Sequence, residues 1–132
     1  FFCDAVNCVG PHAAGVAAEF ERRAPSYSAL YKERAREMYV HPRLPPVIWY
    51  DTTLQKTCVA VPTMLLPGQK ASSLFLMLSL RSLAAALPPD AKVAMPALGC
   101  GIGGLWFSNL IDLVTNAFRV RPDVSIELYE PL

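Results

Sequence analysis

The sequence predicts an α/β layered fold on a mixed, largely parallel sheet. Three observations predict it. Short apolar and β-branched runs alternate with segments of helical period, the pattern of strand–helix–strand units. Two predicted strands are followed by glycine-bearing loops, and ligands of such sheets sit beyond the carboxyl ends of the strands. The chain has 132 residues, 53% of them hydrophobic and 17% charged. That composition suits one folded domain over residues 1–132 and excludes a disordered chain.

The first strand is expected over 1–8, ending at Asn7 and Cys8. Phe1-Phe2-Cys3 already reads as mid-strand, so a preceding segment is expected to be missing or shortened. A loop with Gly10 and Pro11 leads into a helix over 15–24, where Val16 and Phe20 share a face. Pro25 stops it, and Ser26 is placed to cap the next helix, over 27–39. The prolines of 41–46 make a loop. Residues 47–50 and 57–61 read as strands joined around Asp51-Thr52-Thr53, and Pro67-Gly68 marks the loop after them. The apolar run 71–87 contains Arg81 and ends at Pro88-Pro89, which suits a helix packed on more than one side or carrying an exposed apolar stripe. It is marginal as a membrane span, so no membrane partner is expected. A strand over 92–96, a helix over 105–118 and a last strand over 124–129 complete the order.

Charge and cysteine usage narrow the classes. A net charge of +1 provides no field for strong non-specific nucleic-acid binding. The basic residues of 21–23 and 32–37 are interrupted by glutamates, which reads as a solvated helix face. Cys3, Cys8, Cys58 and Cys100 form no C-x-x-C pair, so no metal site is expected. The same usage, without a signal peptide, points to a reduced intracellular setting, cytoplasmic or nuclear.

The most informative stretch is Pro96-Ala97-Leu98-Gly99-Cys100-Gly101-Ile102-Gly103-Gly104-Leu105-Trp106. It stands between a strand and a helix. Glycines let backbone N–H groups approach an anion, and a following helix start adds a positive dipole end. The expected chemistry is a phosphate cradle. Cys100, between glycines and with no adjacent histidine, reads as a small packed side chain rather than a nucleophile. Lys70 reads as solvated, and Trp106 and Phe107 as core or pocket wall.

These pieces, with Asp4-Ala5-Val6-Asn7-Cys8-Val9-Gly10, Gly15-Val16-Ala17 and Val61-Pro62-Thr63, resemble macro domains, the ADP-ribose-binding α-β-α modules. The order and spacing fit over nearly the whole chain, and the look is nearest to the branch of ADP-ribose 1″-phosphate phosphatases, terminal ADP-ribose glycohydrolases and DNA ADP-ribosyl glycohydrolase antitoxins. The resemblance implies a three-layer fold whose first strand falls before this sequence. It implies a ligand-binding set of Asn7, Gly10, Pro11, His12, Ala13, Ala14, Gly15, Val16, Thr63, Met64, Gly99, Cys100, Gly101, Ile102, Gly103, Gly104 and Leu105. Asn7 would orient the distal ribose, and the two glycine loops would hold the diphosphate. His12, or Asp4, would assist proton transfer as the catalytic group.

Departures from the family pattern matter as much. The upstream Gly-Asp pair that binds the adenine amino group has no counterpart here. Met64 stands where the glycohydrolases of this branch carry a lysine after Pro-Thr, and a thioether neither forms a Schiff base nor holds a charge. Gly103 stands where some members place a catalytic aspartate. Pro11-His12-Ala13-Ala14 replaces a more glycine-rich run. The implied function is recognition of ADP-ribose, or of ADP-ribosylated protein or nucleic acid, with hydrolysis of ADP-ribose 1″-phosphate or an ADP-ribosyl adduct and no cofactor. A non-catalytic reader and an interaction module that kept only the fold are the alternatives.

Overall fold

A computed structural model describes residues 1–10, 15–40, 47–64, 66, 69–101 and 103–130. The element order is β1 (Phe2–Val6), α1 (Gly15–Arg23), α2 (Pro25–Val40), β2 (Ile48–Asp51), β3 (Lys56–Pro62), α3 (Ser73–Ala86), β4 (Lys92–Met95), α4 (Phe107–Phe118) and β5 (Ser125–Leu128). The strands form one sheet in the order β2-β3-β1-β4-β5. β1 runs parallel to both β3 and β4, β4 runs parallel to β5, and β2 pairs antiparallel with β3. The mixed, largely parallel sheet expected from the sequence is therefore present. The predicted proline loop at 41–46 and the Pro67-Gly68 turn lie outside the described residues.

Strand alternation splits the core into two layers. Val59 and Val61 of β3 join Leu76, Leu80 and Leu83 of α3 and Leu110 and Val114 of α4 on one face. Cys58 and Ala60 join Tyr27, Tyr31 and Ala35 of α2 on the other. A strand buried on both faces reads as a continuous apolar run, which is why Thr57 to Val61 shows no polar alternation. Each leucine buried in this way contributes about 1.5–3 kcal/mol.

α3 is buried on one side only. Leu76, Leu80 and Leu83 are fully buried, whereas Leu74 is 63% exposed and Leu78 37%. Of the two sequence-based expectations for this segment, the exposed stripe is the one that forms. Ser72 caps the helix by accepting from the Phe75 N–H at 3.2 Å. At its other end the Arg121 guanidinium donates to the carbonyls of Ala84 (2.5 Å), Leu87 (2.9 Å) and Pro88 (3.0 Å). Those are terminal acceptors that no helical N–H reaches. Among the described residues, no helix is long and apolar enough to cross a membrane.

The start of α2 departs from the sequence reading. Ser26 is not its cap. Pro25 takes the first helical position, where a missing N–H costs nothing. The amides of Ser26 and Tyr27 donate to Asp51 Oδ2 at 3.0 and 3.1 Å, and the Ser26 hydroxyl donates to the same oxygen at 2.7 Å. Asp51 Oδ1 accepts from the amides of Thr53 and Leu54, both at 2.9 Å. One carboxylate thus caps a helix and closes the β2–β3 turn at once, across a sequence gap that no local pattern reveals. Burial pushes this carboxyl up, but the hydrogen bonds from Leu54, Ser26, Tyr27 and Thr53 outweigh it and hold it below the usual aspartate range.

Asp51→Asn keeps the shape but loses an acceptor oxygen, so it is expected to lower stability by about 2 kcal/mol in urea unfolding. The pH dependence follows from the depressed carboxyl. Its contribution is complete above the ordinary aspartate value of about 4 and is lost as pH falls through the lower folded value. Wild type should therefore lose stability on acidification more steeply than Asp51→Asn; parallel acid limbs would contradict the assignment.

Candidate functional site

The carboxyl ends of β1, β3 and β4 bring two loops and one junction together. β1 is the centre of the sheet, so the segment that follows it leaves from between its two parallel neighbours. The loop after β1 starts with Asn7. Its Oδ1 accepts from the Val9 N–H at 3.0 Å and the Gly10 N–H at 2.9 Å, a turn closed by a side chain. The Tyr31 hydroxyl lies 2.8 Å from the Asn7 carbonyl oxygen and 3.1 Å from Oδ1, so its hydrogen serves both. The amide oxygen of Asn7 is therefore engaged in holding the loop. Gly10 has a φ of +122°, a conformation that asks for glycine. The described part resumes at Gly15, which opens α1, with Val16 43% exposed beside it. Pro11, His12, Ala13 and Ala14 lie outside the described residues.

The second loop is closed by its own backbone. The Cys100 N–H donates to the Ala97 carbonyl at 3.1 Å, Gly104 to Gly101 at 3.0 Å and Leu105 to Gly99 at 2.8 Å. The last bond holds Leu105 in the loop, which is why α4 starts at Phe107, two residues later than its sequence suggests. Gly99 and Gly104 have φ of +74° and +72°. Gly103 is packed so closely that a Cβ on it would lie 2.7 Å from the Gly99 carbonyl oxygen and 2.9 Å from the Ala71 Cβ. Gly101 is exposed, and a Cβ there would meet nothing within 4 Å. Ile102 lies outside the described residues.

A short stitch links this loop to β3. The Ala71 N–H donates to the Gly103 carbonyl at 2.8 Å, and the next amide, Ser72, donates to the Thr63 carbonyl at 3.2 Å. The Thr63 N–H in turn donates to the Val6 carbonyl at 3.0 Å, beside Asn7. Thr63 is buried and Met64 half-buried. The sequence singled out Thr63 and Met64 but missed Ala71, whose contribution is an N–H and a methyl group of no chemical distinction. Nothing in the sequence distinguishes Tyr31 beyond its place in the helix expected over 27–39.

Two assignments need correction. Asp4 is fully buried, and its Oδ2 accepts from the Tyr27 hydroxyl at 2.8 Å on the α2 side of the sheet. A carboxylate shut in against a tyrosine exchanges no proton with a bound substrate, so Asp4 is a docking residue for α2 and not a catalytic one. Trp106 is 76% exposed, which rules out the core position expected as one of its two readings. Phe107 takes the inward position and packs against the α3–α4 core layer.

The thiols are not nucleophiles. Burial pushes Cys3 up to about 12, Cys8 to about 11 and Cys58 to about 12. Burial also raises Cys100, whose Sγ lies 3.6 Å from the Leu98 carbonyl oxygen. All are thiols, not thiolates, near neutrality. Lys70 is exposed. Among the described residues, no three His, Cys, Asp or Glu side chains group as metal ligands would. The arrangement can present backbone N–H groups and a helix start to an anion from two sides.

No protein-family profile matches the chain, and no curated protein sequence does. Solved structures do. The macrodomain of Mycobacterium tuberculosis DarG aligns over 99% of this chain and 88% of its own, at 26% identity and a TM-score of 0.86. The chain has the macrodomain fold. The macrodomain of Thermus aquaticus DarG aligns over 98% of this chain and 88% of its own at 21% identity and a TM-score of 0.83. Thermosipho africanus DarTG in complex with ADP-ribose gives a TM-score of 0.79 at 19% identity, the match covering 99% of this chain but 38% of that one. In macrodomain terms, the two loops and the Thr63–Ala71 junction line the end of the sheet that follows its central strand.

The glycines of the second loop are expected to separate fold from site. Gly103→Ala should cost about 1–3 kcal/mol in thermal or urea unfolding, because its methyl group meets backbone. Gly101→Ala should unfold like wild type within about 0.5 kcal/mol. Equal effects would mean that the loop is not built on the Gly103–Ala71 contact.

Proposed function

We propose that this macrodomain recognises ADP-ribose at the carboxyl end of its sheet. The observation that carries the reading is the pair of glycine-bearing loops, 7–16 and 99–105, tied to one another through Val6, Thr63, Ser72, Ala71 and Gly103. The likeness to a DarTG structure described as in complex with ADP-ribose supports it. Loop amides hold a diphosphate without a lysine clamp, and Asn7 keeps the first loop in shape while the ligand is bound.

A second reading adds hydrolysis of ADP-ribose 1″-phosphate or of an ADP-ribosyl adduct, following the branch that the sequence resembles. The ligand would be bent so that its distal ribose faces a bound water, with His12 assisting the proton transfer. Met64 and the crowded Gly103 weigh toward recognition alone. A Cβ at position 103 has no room, so the acid that some relatives of that branch carry cannot be accommodated there without displacing Ala71.

Calorimetry with ADP-ribose is the direct test: the expected result is one-to-one binding. Gly101→Ala should weaken it about tenfold while leaving the fold intact, because a methyl group would crowd the anion. No heat with wild type overturns the recognition reading. Turnover assays with ADP-ribose 1″-phosphate, ADP-ribosylated protein and ADP-ribosylated DNA address the second reading. If hydrolysis occurs, His12→Ala should abolish most of it. Met64→Lys should raise adduct cleavage above wild type if the missing amine is what limits it; no gain would mean that the limit lies elsewhere.

A further inference from the structure

Two tyrosines of α2, Tyr27 and Tyr31, serve different ends. Both are fully buried, and a buried tyrosine hydroxyl needs a partner. Tyr27 donates to Asp4 Oδ2 at 2.8 Å, within β1, and so docks the helix on the sheet. Tyr31 reaches past the strand to Asn7, 2.8 Å from its carbonyl oxygen and 3.1 Å from Oδ1. Burial pushes the Tyr31 hydroxyl well above the usual tyrosine range, so it keeps its proton to donate. Asn7 Oδ1 also accepts from the Val9 and Gly10 amides. Those are backbone N–H groups, which only donate, so the carboxamide must turn its oxygen toward them and its nitrogen away. The turn meets α2 at a second place. A Cβ on Gly10 would lie 3.5 Å from the Lys32 carbonyl oxygen and 4.0 Å from the Ala35 Cβ. The start of the first loop is thus moulded on one turn of α2, residues 31–35.

We propose that Tyr31 is a positioning residue of the ADP-ribose site: its hydroxyl fixes the Asn7 carboxamide and the 7–10 turn in the shape that receives the ligand, and affinity depends on that hydroxyl. The proposal rests on the ADP-ribose reading. Tyr31 acts through Asn7 and touches no ligand itself. Phenylalanine at position 31 would fill the same space but leave Asn7 held by its own turn alone. A turn that the ligand must first order binds more weakly by the cost of that ordering.

The neighbouring tyrosine provides the control. Tyr31→Phe and Tyr27→Phe each keep a buried ring on the same helix and remove one buried hydrogen bond, so both should lower the melting temperature. Calorimetry should separate them. Tyr31→Phe should bind ADP-ribose about fivefold more weakly, and Tyr27→Phe within about twofold of wild type. In an Asn7→Ala background, Tyr31→Phe should weaken binding no further, because its route to the ligand has gone. Amide exchange at Val9 and Gly10 should quicken in Tyr31→Phe and stay unchanged in Tyr27→Phe. If Tyr31→Phe binds as wild type does, this proposal is overturned and the recognition reading stands. Equal weakening by the two tyrosine changes overturns it as well, because the effect would then be a general loosening of α2. If wild type gives no heat with ADP-ribose, both readings are overturned.

Discussion

The close approach of Gly103 to Ala71 and Gly99 is the constraint on which the site depends. With a Cβ 2.7 Å from a carbonyl oxygen, no other residue fits position 103 without moving backbone. That contact lets the Ala71 amide reach the Gly103 carbonyl, and the next amide, Ser72, reach Thr63. Thr63 then hands the connection to Val6 at the end of the central strand. Both loops are therefore built into one frame rather than hung on separate strands. The same constraint limits the chemistry: a side chain at position 103 would have to displace the Gly99 carbonyl and Ala71.

The second support is the layer of α2 against β1 and β2. Tyr27 docks on Asp4, Tyr31 on Asn7, and the helix start on Asp51. These three contacts convert polar side chains into fixed points between strand and helix. A buried carboxylate in such a place is stable only when its oxygens are hydrogen-bonded, and both oxygens of Asp51 are. Asn7 shows how such a contact reaches the site, since the tyrosine that orients it also carries the helix.

Much of the fold was legible in the sequence. The strand and helix order follows from hydrophobic period, from Pro25 and from the glycine runs, because these signals are local. What escaped was non-local. Asp51 caps a helix that begins 26 residues earlier, at Pro25, so Ser26 looked like the cap. Leu105 is drawn back to Gly99, so α4 starts later than its apolar pattern suggests. In the site, Gly10, Gly15, Gly99 and Gly104 adopt conformations that favour glycine and so stand out in the sequence, whereas Ala71 contributes only an amide and a methyl group. Asp4 looked like a candidate acid because a carboxylate near a strand end has the right chemistry; its direction, toward Tyr27, is set by strand parity and by a helix distant in sequence.

The central claim is that one frame holds two loops that close on a single diphosphate ligand. Amide hydrogen exchange with and without ADP-ribose measures this most directly. Peptides covering residues 7–16 and 99–106 should both slow on addition of ADP-ribose, while those covering β2 and the β2–β3 turn stay unchanged. Unaltered exchange in both loops, or slowing confined to segments away from them, would contradict the account.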